Sequence, residues 1–256
     1  MHKLDFRQDE SVVEPTTVVT REPAALVLAM ANPHEQALIT APANDGLRTR
    51  TRGGLIELQR LADVVCALVL IVVLAPVLVV VALLVLVTDP GPVLFTHWRL
   101  GRDGRPFGCL KFRTMRTDAE AILPQLLIAD PALREEWERD HKLAVDPRVT
   151  PLGRFLRLSS LDELPQLFNL LRGDMTLVGP RPIVATELHH YGRYAAHYFS
   201  VRPGLTGLWQ VSGRSSTTYR RRVAADVYYV RSKSWLLDTR ILLCTLPAVL
   251  AAEGSC

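Results

Sequence analysis

The chain has 256 residues and a net charge of +4, with a hydrophobic fraction of 48% beside 22% charged residues. Four cysteines (Cys66, Cys109, Cys244, Cys256) lie far apart with no CxxC pair, which excludes a zinc ribbon and a dense disulfide framework and fits a reducing compartment. So high an apolar share beside so many charges requires apolar residues gathered in one stretch.

Residues 1–54 carry mixed charge, several prolines and no sustained period, and end in the basic run RTRTRGG; they read as a disordered tail. A second region, 55–92, holds the apolar stretch. From Val64 to Val87 there are 24 residues without a charge, roughly 36 Å of helix against a hydrocarbon core of about 30 Å. The run starts too deep in the chain, and is too long, for a signal peptide. Arginines precede it (Arg48, Arg50, Arg52, Arg60) and basic residues follow it (Arg99, Arg102, Arg105, Lys111, Arg113, Arg116), so both flanks carry the excess that favours the cytoplasmic side. One crossing cannot satisfy both. A helix broken at Pro76 that enters and leaves by one leaflet can; a spanning helix that tolerates the proline is the alternative.

The third region, 93–256, opens after the stop signal TDPGP (Thr88 to Pro92). PVLFTHWRLGRDGRPFGCLKFRTM predicts two short strands around the turn GRDGRP. A helical stretch from Asp118 to about Lys142 follows, then a helix through LPQLFNLLR closed by Gly173. The last residues, WLLDTRILLCTLPAVLAAEG, predict either a helix on the membrane surface or a core helix. The fold class is therefore α+β: a membrane-associated helix, amphipathic surface helices and a small catalytic domain with short strands.

Chemistry concentrates between Arg148 and Arg214. Asp162 and Glu163 are adjacent acids ahead of Pro165, a pattern that suits a helix start, with Asp162 as cap and Glu163 complementing the dipole. It equally suits a divalent cation on a diphosphate, because Mg²⁺ takes one or two carboxylates plus phosphate oxygens and water. Lys111, Arg113, Arg157, Arg181, Arg202 and Arg214 each sit beside Gly, Pro or a short turn, where a cation can be held on phosphate oxygens. Anionic headgroups at a bilayer are the competing ligand. His189, His190 and His197 lack metal-ligand spacing, Trp98, Trp209 and Trp235 fit interfacial anchors or core, and no Walker, dinucleotide or GxSxG motif occurs.

QRLADVV before the apolar run, DPGPVLF after it, then KFRTM, SLDELPQLFNLLRGDM, LVGPRP, RPGLTGLWQVSGR and DVYYV occur in one order. This series resembles the bacterial sugar transferases, the monotopic phosphoglycosyl transferases that act on polyprenyl phosphate, over about residues 56–250. The resemblance implies a re-entrant helix broken at Pro76 and a catalytic face on the cytoplasmic side of the bacterial inner membrane. It also implies transfer of a sugar-1-phosphate from a nucleotide diphosphate sugar to polyprenyl phosphate. Carried over, Asp162 is the nucleophile and Glu163 its metal-binding partner, with Mg²⁺ or Mn²⁺ as cofactor. Arg157, Arg181 and Arg214 surround the substrate phosphates, joined by Lys111 and Arg113. Ala75 stands where the family often has serine before the proline, and larger members carry further membrane spans where this chain has a polar tail. GLTGLWQVSGRSS resembles users of UDP-glucose or UDP-galactose, with an N-acetylated donor as alternative. Membrane lipids are expected partners, a homodimer is left open and no nucleic acid is expected. A non-catalytic, membrane-tethered protein binding anionic lipids is the reading from a different class.

Overall fold

A computed structural model describes residues 53–140, 143–212 and 218–250. The expected tail, apart from its last two residues, and Arg214 lie outside the described residues. Helix α1 (Gly53–Thr88) runs continuously through Pro76. Its portion Glu57–Thr88 is long and apolar enough to cross a membrane, and only 11% of its most apolar window is buried. An unburied apolar helix of this length is not the core helix of a soluble domain, and it indicates membrane association.

Strands β1 (Leu94–Leu100) and β2 (Pro106–Phe112) pair antiparallel around a turn at Arg102–Gly104, as the sequence predicts. The helical stretch expected from Asp118 onward is instead two helices, α2 (Ala119–Ala129) and α3 (Pro131–Asp140). Pro131 cannot continue the first, and the Asp130 carboxylate accepts the Ala132 N–H at 2.9 Å to start the second. Helix α4 (Pro151–Leu158) is capped by Thr150, whose hydroxyl accepts the Gly153 N–H at 2.9 Å. Helix α5 (Gln166–Arg172) ends on Gly173 at φ 92°, as its sequence predicts. Strands β3 (Thr176–Val178) and β4 (Gly204–Thr206), which hydrophobic pattern does not announce, pair in parallel. Short helices α6 (Ala195–Phe199) and α7 (Leu208–Val211), then α8 (Tyr219–Ser232) and α9 (Trp235–Leu250), complete the chain.

Both ends of α1 dock on this domain. Near its start, Arg60 donates to the Leu170 and Leu171 carbonyls at 2.5 and 2.8 Å, satisfying the exposed C-terminal end of α5. One turn on, Asp63 accepts from the Thr176 hydroxyl at 2.7 Å and the Leu177 N–H at 3.1 Å. Ala67 packs in a cluster with Phe107, Cys109, Leu170 and Met175, whereas Val81 and Val85 pack with Phe112 and Leu156. Past the helix end, Asp89 accepts from the Thr117 N–H at 2.7 Å and pairs with Arg113 at 3.5 Å.

The second core gathers Leu100, Ile183, Leu188, Tyr191 and Tyr198. The Tyr198 hydroxyl donates to the Leu100 carbonyl at 2.6 Å and accepts the Ile183 N–H at 3.2 Å, so it joins β1 to the segment after β3. Tyr191 donates to the buried Asp226 at 2.6 Å. Burial pushes the Asp226 carboxyl up to about 7, against the Tyr191 hydrogen bond and the Arg222 charge. An acid raised in the fold binds its proton more tightly there than in the unfolded chain. Its contribution is full below the unfolded value near 4 and is lost as pH rises through about 7. Asp226→Asn is therefore expected to flatten the decline in thermal midpoint between about pH 4 and about pH 7, measured in detergent.

The C-terminal helix has one buried face, as a core helix has, and one exposed apolar face. Ile241 is buried against Val178 and Tyr229, while Trp235, Leu236 and Leu243 are exposed.

Candidate active site

Ser160 adopts φ 57°, a left-handed conformation that a residue with a side chain takes only at a cost. The turn it begins, Leu161–Glu163, carries the two acids between α4 and α5. Neither acid is a helix cap: Pro165 occupies the N-cap position of α5 and no side chain caps it. The capping alternative for Asp162 therefore falls, because the tight turn leaves the acid three residues ahead of the N-cap Pro165.

The two carboxylates have different surroundings. Glu163 accepts from Lys111 Nζ at 2.8 Å and from Arg181 Nη2 at 2.8 Å. Burial opposes its charge, yet Arg181 and Lys111 outweigh that and hold its carboxyl well below the usual range. Asp162 is buried and takes no hydrogen bond from any described residue; its nearest charge is Lys111 Nζ, at 3.7 Å. Burial, aided by the Glu163 charge, pushes its carboxyl up against the pull of Lys111, Arg157 and Arg181. One acid is thus committed to cations, and the other is a desolvated carboxylate with its lone pairs open.

Each cation is delivered by a different sequence motif. Lys111 comes from β2, where Asn169 of α5 accepts the Leu110 N–H at 2.9 Å and donates to the Gly108 carbonyl at 2.7 Å. Arg157 lies on α4, and its Nε donates to the Thr114 hydroxyl at 3.0 Å. A Cβ on Gly153 would lie 2.0 Å from the Thr114 carbonyl oxygen. Gly153→Ala is accordingly expected to pry α4 from the KFRTM segment, at a cost of about 1–3 kcal/mol or more. A lowered thermal midpoint with reduced activity, although Asp162 is intact, checks this. Arg181 follows the β3 end, where Gly179 and Gly204 pass so closely that a Cβ on Gly204 would lie 2.1 Å from the Gly179 nitrogen. The glycines of LVGPRP and RPGLTG thus seat Arg181 by backbone contact.

Among the expected phosphate ligands, Lys111, Arg157 and Arg181 converge on the acid pair. Arg113 does not: it pairs with Asp89 at the exit of α1, because the chain turn at Gly91 brings that carboxylate beside it. Arg202 instead shares its surroundings with Arg60, Arg102, Asp63 and Asp103. The histidines form no metal cluster among the described residues. The His189 and His190 rings meet tilted with centroids 3.8 Å apart, and His197 pairs with Arg231. Beside the acids opens a shallow cleft lined by Arg99, Cys109, Lys111, Gln166, Arg181, Pro182, Gly204 and Leu205. Arg99 and Gln166 escaped the sequence reading. The alternation of β1 and β2 puts Arg99 on the face of Lys111, but only the register of the pair reveals it.

Among the described residues no group of three ligating side chains exists, so at this site they offer a divalent cation Asp162 and Glu163. Mg²⁺ fits such a pair, drawing its remaining ligands from a diphosphate and water.

Residues 55–252 match the family described as bacterial sugar transferase. The chain belongs to that family. The chain is 47% identical over 200 residues to the undecaprenyl-phosphate galactose phosphotransferase of Salmonella typhimurium, covering 77% of the chain but 41% of that relative. It is 46% identical over 197 residues to the exopolysaccharide production protein ExoY of Sinorhizobium fredii, covering 77% and 87% of the two chains. With the UDP-glucose:undecaprenyl-phosphate glucose-1-phosphate transferase of Caulobacter vibrioides it shares 41% over 206 residues, 77% of this chain and 71% of the other. The chain thus spans about two fifths of the length of its Salmonella relative.

Proposed function

We propose that this chain transfers a hexose-1-phosphate from UDP-glucose or UDP-galactose to undecaprenyl phosphate and so initiates an exopolysaccharide. The observation that carries the reading is Asp162, a buried carboxylate without a hydrogen bond from any described residue, beside a cleft lined by Arg99, Lys111 and Arg181. The names of the Salmonella and Caulobacter relatives supply the lipid acceptor and the two hexoses.

An Asp162 oxygen attacks the phosphorus that bears the sugar. The new O–P bond forms as the bond to the bridging oxygen breaks, and the nucleoside monophosphate leaves with that electron pair. Asp162 needs no proton removed at neutral pH once ionised, and its poor solvation raises its reactivity. Glu163 holds Lys111 and Arg181 in place, and these cations balance charge on the transferring phosphoryl oxygens. A divalent cation held by Asp162 and Glu163 would supply further neutralisation of the diphosphate. In the second step the lipid phosphate oxygen attacks the same phosphorus and releases Asp162.

Placement at the bilayer supports the lipid as acceptor. The Arg60 and Asp63 end of α1 and its Asp89 end dock on one polar domain, which supports re-entry from the cytoplasmic leaflet over a single crossing. The exposed Phe155, Leu158 and Phe168 would then be available to the same lipid surface. Labelling of single cysteines placed near residues 50 and 100 should find both on the cytoplasmic side; labelling on opposite sides overturns re-entry. For the reaction, the full chain is incubated with undecaprenyl phosphate, Mg²⁺ and separate nucleotide sugars. Fast UMP release is expected with UDP-glucose or UDP-galactose. Release confined to N-acetylhexosamine donors overturns the choice of sugar, and release with none overturns the activity.

A further inference from the structure

The register of β1 and β2 sets His97 opposite Cys109, Arg99 opposite Phe107 and Phe95 opposite Lys111. Alternation then lays Lys111, Cys109, His97 and Arg99 on one face of the ribbon, with the two cations at its ends. The end with Lys111 lies against Asp162 at 3.7 Å. Four residues separate the two ends, about 13 Å between their backbones at about 3.4 Å per residue. Both cations line the same cleft. Displacement at phosphorus puts the leaving group opposite the nucleophile. A diphosphate attacked by Asp162 beside Lys111 therefore extends its leaving phosphate toward Arg99.

We propose that Arg99 binds the leaving phosphate of the donor, the one that departs as the nucleoside monophosphate, and is a catalytic residue of the first half-reaction. This rests on the transferase reading above. Arg99 is held in advance: its Nη1 donates to the Pro182 carbonyl at 3.3 Å and meets Glu187 at 3.5 Å, while its Nη2 donates to His97 Nδ1 at 3.1 Å. Burial, then Arg99 and Lys111, bring His97 down to about 4, so the ring is neutral and accepts. Glu187 is fixed in turn by the Val184 N–H at 3.0 Å. The Nε–H of Arg99 meets no described residue, leaving that donor for a phosphate oxygen. Glu163 engages Lys111 and Arg181 but not Arg99, so the far end of the cleft keeps a cation whose ionic partner among the described residues is Glu187. The charge that develops on the departing phosphate is met there.

The test compares equilibrium binding of UMP and of uridine to the full chain in lipid nanodiscs, for the wild type, Arg99→Met and Arg99→Lys. UMP release from UDP-hexose by the wild type is measured alongside. Arg99→Met is expected to weaken UMP about tenfold or more with uridine affinity unchanged, since a charge-assisted bond to one phosphate is lost. Arg99→Lys, which keeps the charge without the fork, should fall between and guards against misfolding of the methionine variant. UMP affinity within about twofold of wild type in both variants overturns the proposal, as does an equal loss for uridine, which marks general damage to the cleft. A wild type that releases no UMP from any UDP-hexose yet binds UMP in an Arg99-dependent way overturns the transferase reading and keeps the phosphate site. A wild type that does not bind UMP at all overturns both.

Discussion

Asp162→Asn is expected to leave the protein folded and membrane-bound while lowering monophosphate release about 10⁴-fold or more, the scale on which loss of a nucleophile or its charge acts in other enzymes. The amide keeps the shape of the carboxylate but not the charge or the lone-pair basicity that attack on phosphorus needs. Because Asp162 takes no hydrogen bond from any described residue, the substitution leaves no broken bond behind it in the free enzyme. With donor and no lipid, the wild type should release one equivalent of monophosphate and gain one hexose phosphate in mass. The adduct should map to the peptide containing Ser160–Leu167 and vanish in Asp162→Asn. Turnover without an adduct or a lipid-independent burst would instead mean direct attack by the lipid phosphate. The pH dependence has a fixed sign: the reactive form is the carboxylate, and burial raises its pKa. The acid limb of kcat/KM should therefore lie above the ordinary aspartate value near 4, with activity lost as pH falls through it.

The pattern of the sequence made some elements readable because their causes are local. The apolar run announced α1, the turn residues of GRDGRP announced the hairpin, and Gly173 closed α5, each within a few residues of its effect. Asp162, Glu163, Lys111, Arg157 and Arg181 were singled out for their settings among turns, but their roles were not legible from those settings. Glu163 meets Lys111 across 52 positions, and nothing nearby in the chain distinguishes it from Asp162. Arg113 shows the same limit in reverse: adjacent to the lysine strand, it was grouped with the phosphate ligands, yet Asp89 lies 24 positions upstream and claims it. The pair β3 and β4 stayed hidden because three-residue strands carry no alternation to read, and what joins them is a glycine-on-glycine approach across 25 positions. Arg99 stayed hidden because its chemistry depends on register, which pattern alone leaves free.

Glu163→Gln and Arg181→Met are each expected to lower the monophosphate burst about 100-fold, and the double variant to lie close to Arg181→Met. The reason is their shared contact, at 2.8 Å, with Lys111 on the same carboxylate oxygen at 2.8 Å. Removing the carboxylate alone leaves Lys111 and Arg181 facing each other with no anion between them, and breaking one half of a partly buried pair costs more than removing both. Lys111 is then drawn onto Asp162, now 3.7 Å away, which occupies the lone pairs that attack requires. Removing Arg181 alone keeps Glu163 on Lys111, so the damage falls on the phosphate that Arg181 would meet. Taking away Arg181 as well as Glu163 relieves the repulsion, and the thermal midpoint of the double variant should recover relative to Glu163→Gln. Losses that multiply to about 10⁴, with no recovery of the midpoint, would mean that the two residues act separately. Glu163 would then serve through its own contact with the donor, and the clamp on the two cations would be incidental to catalysis.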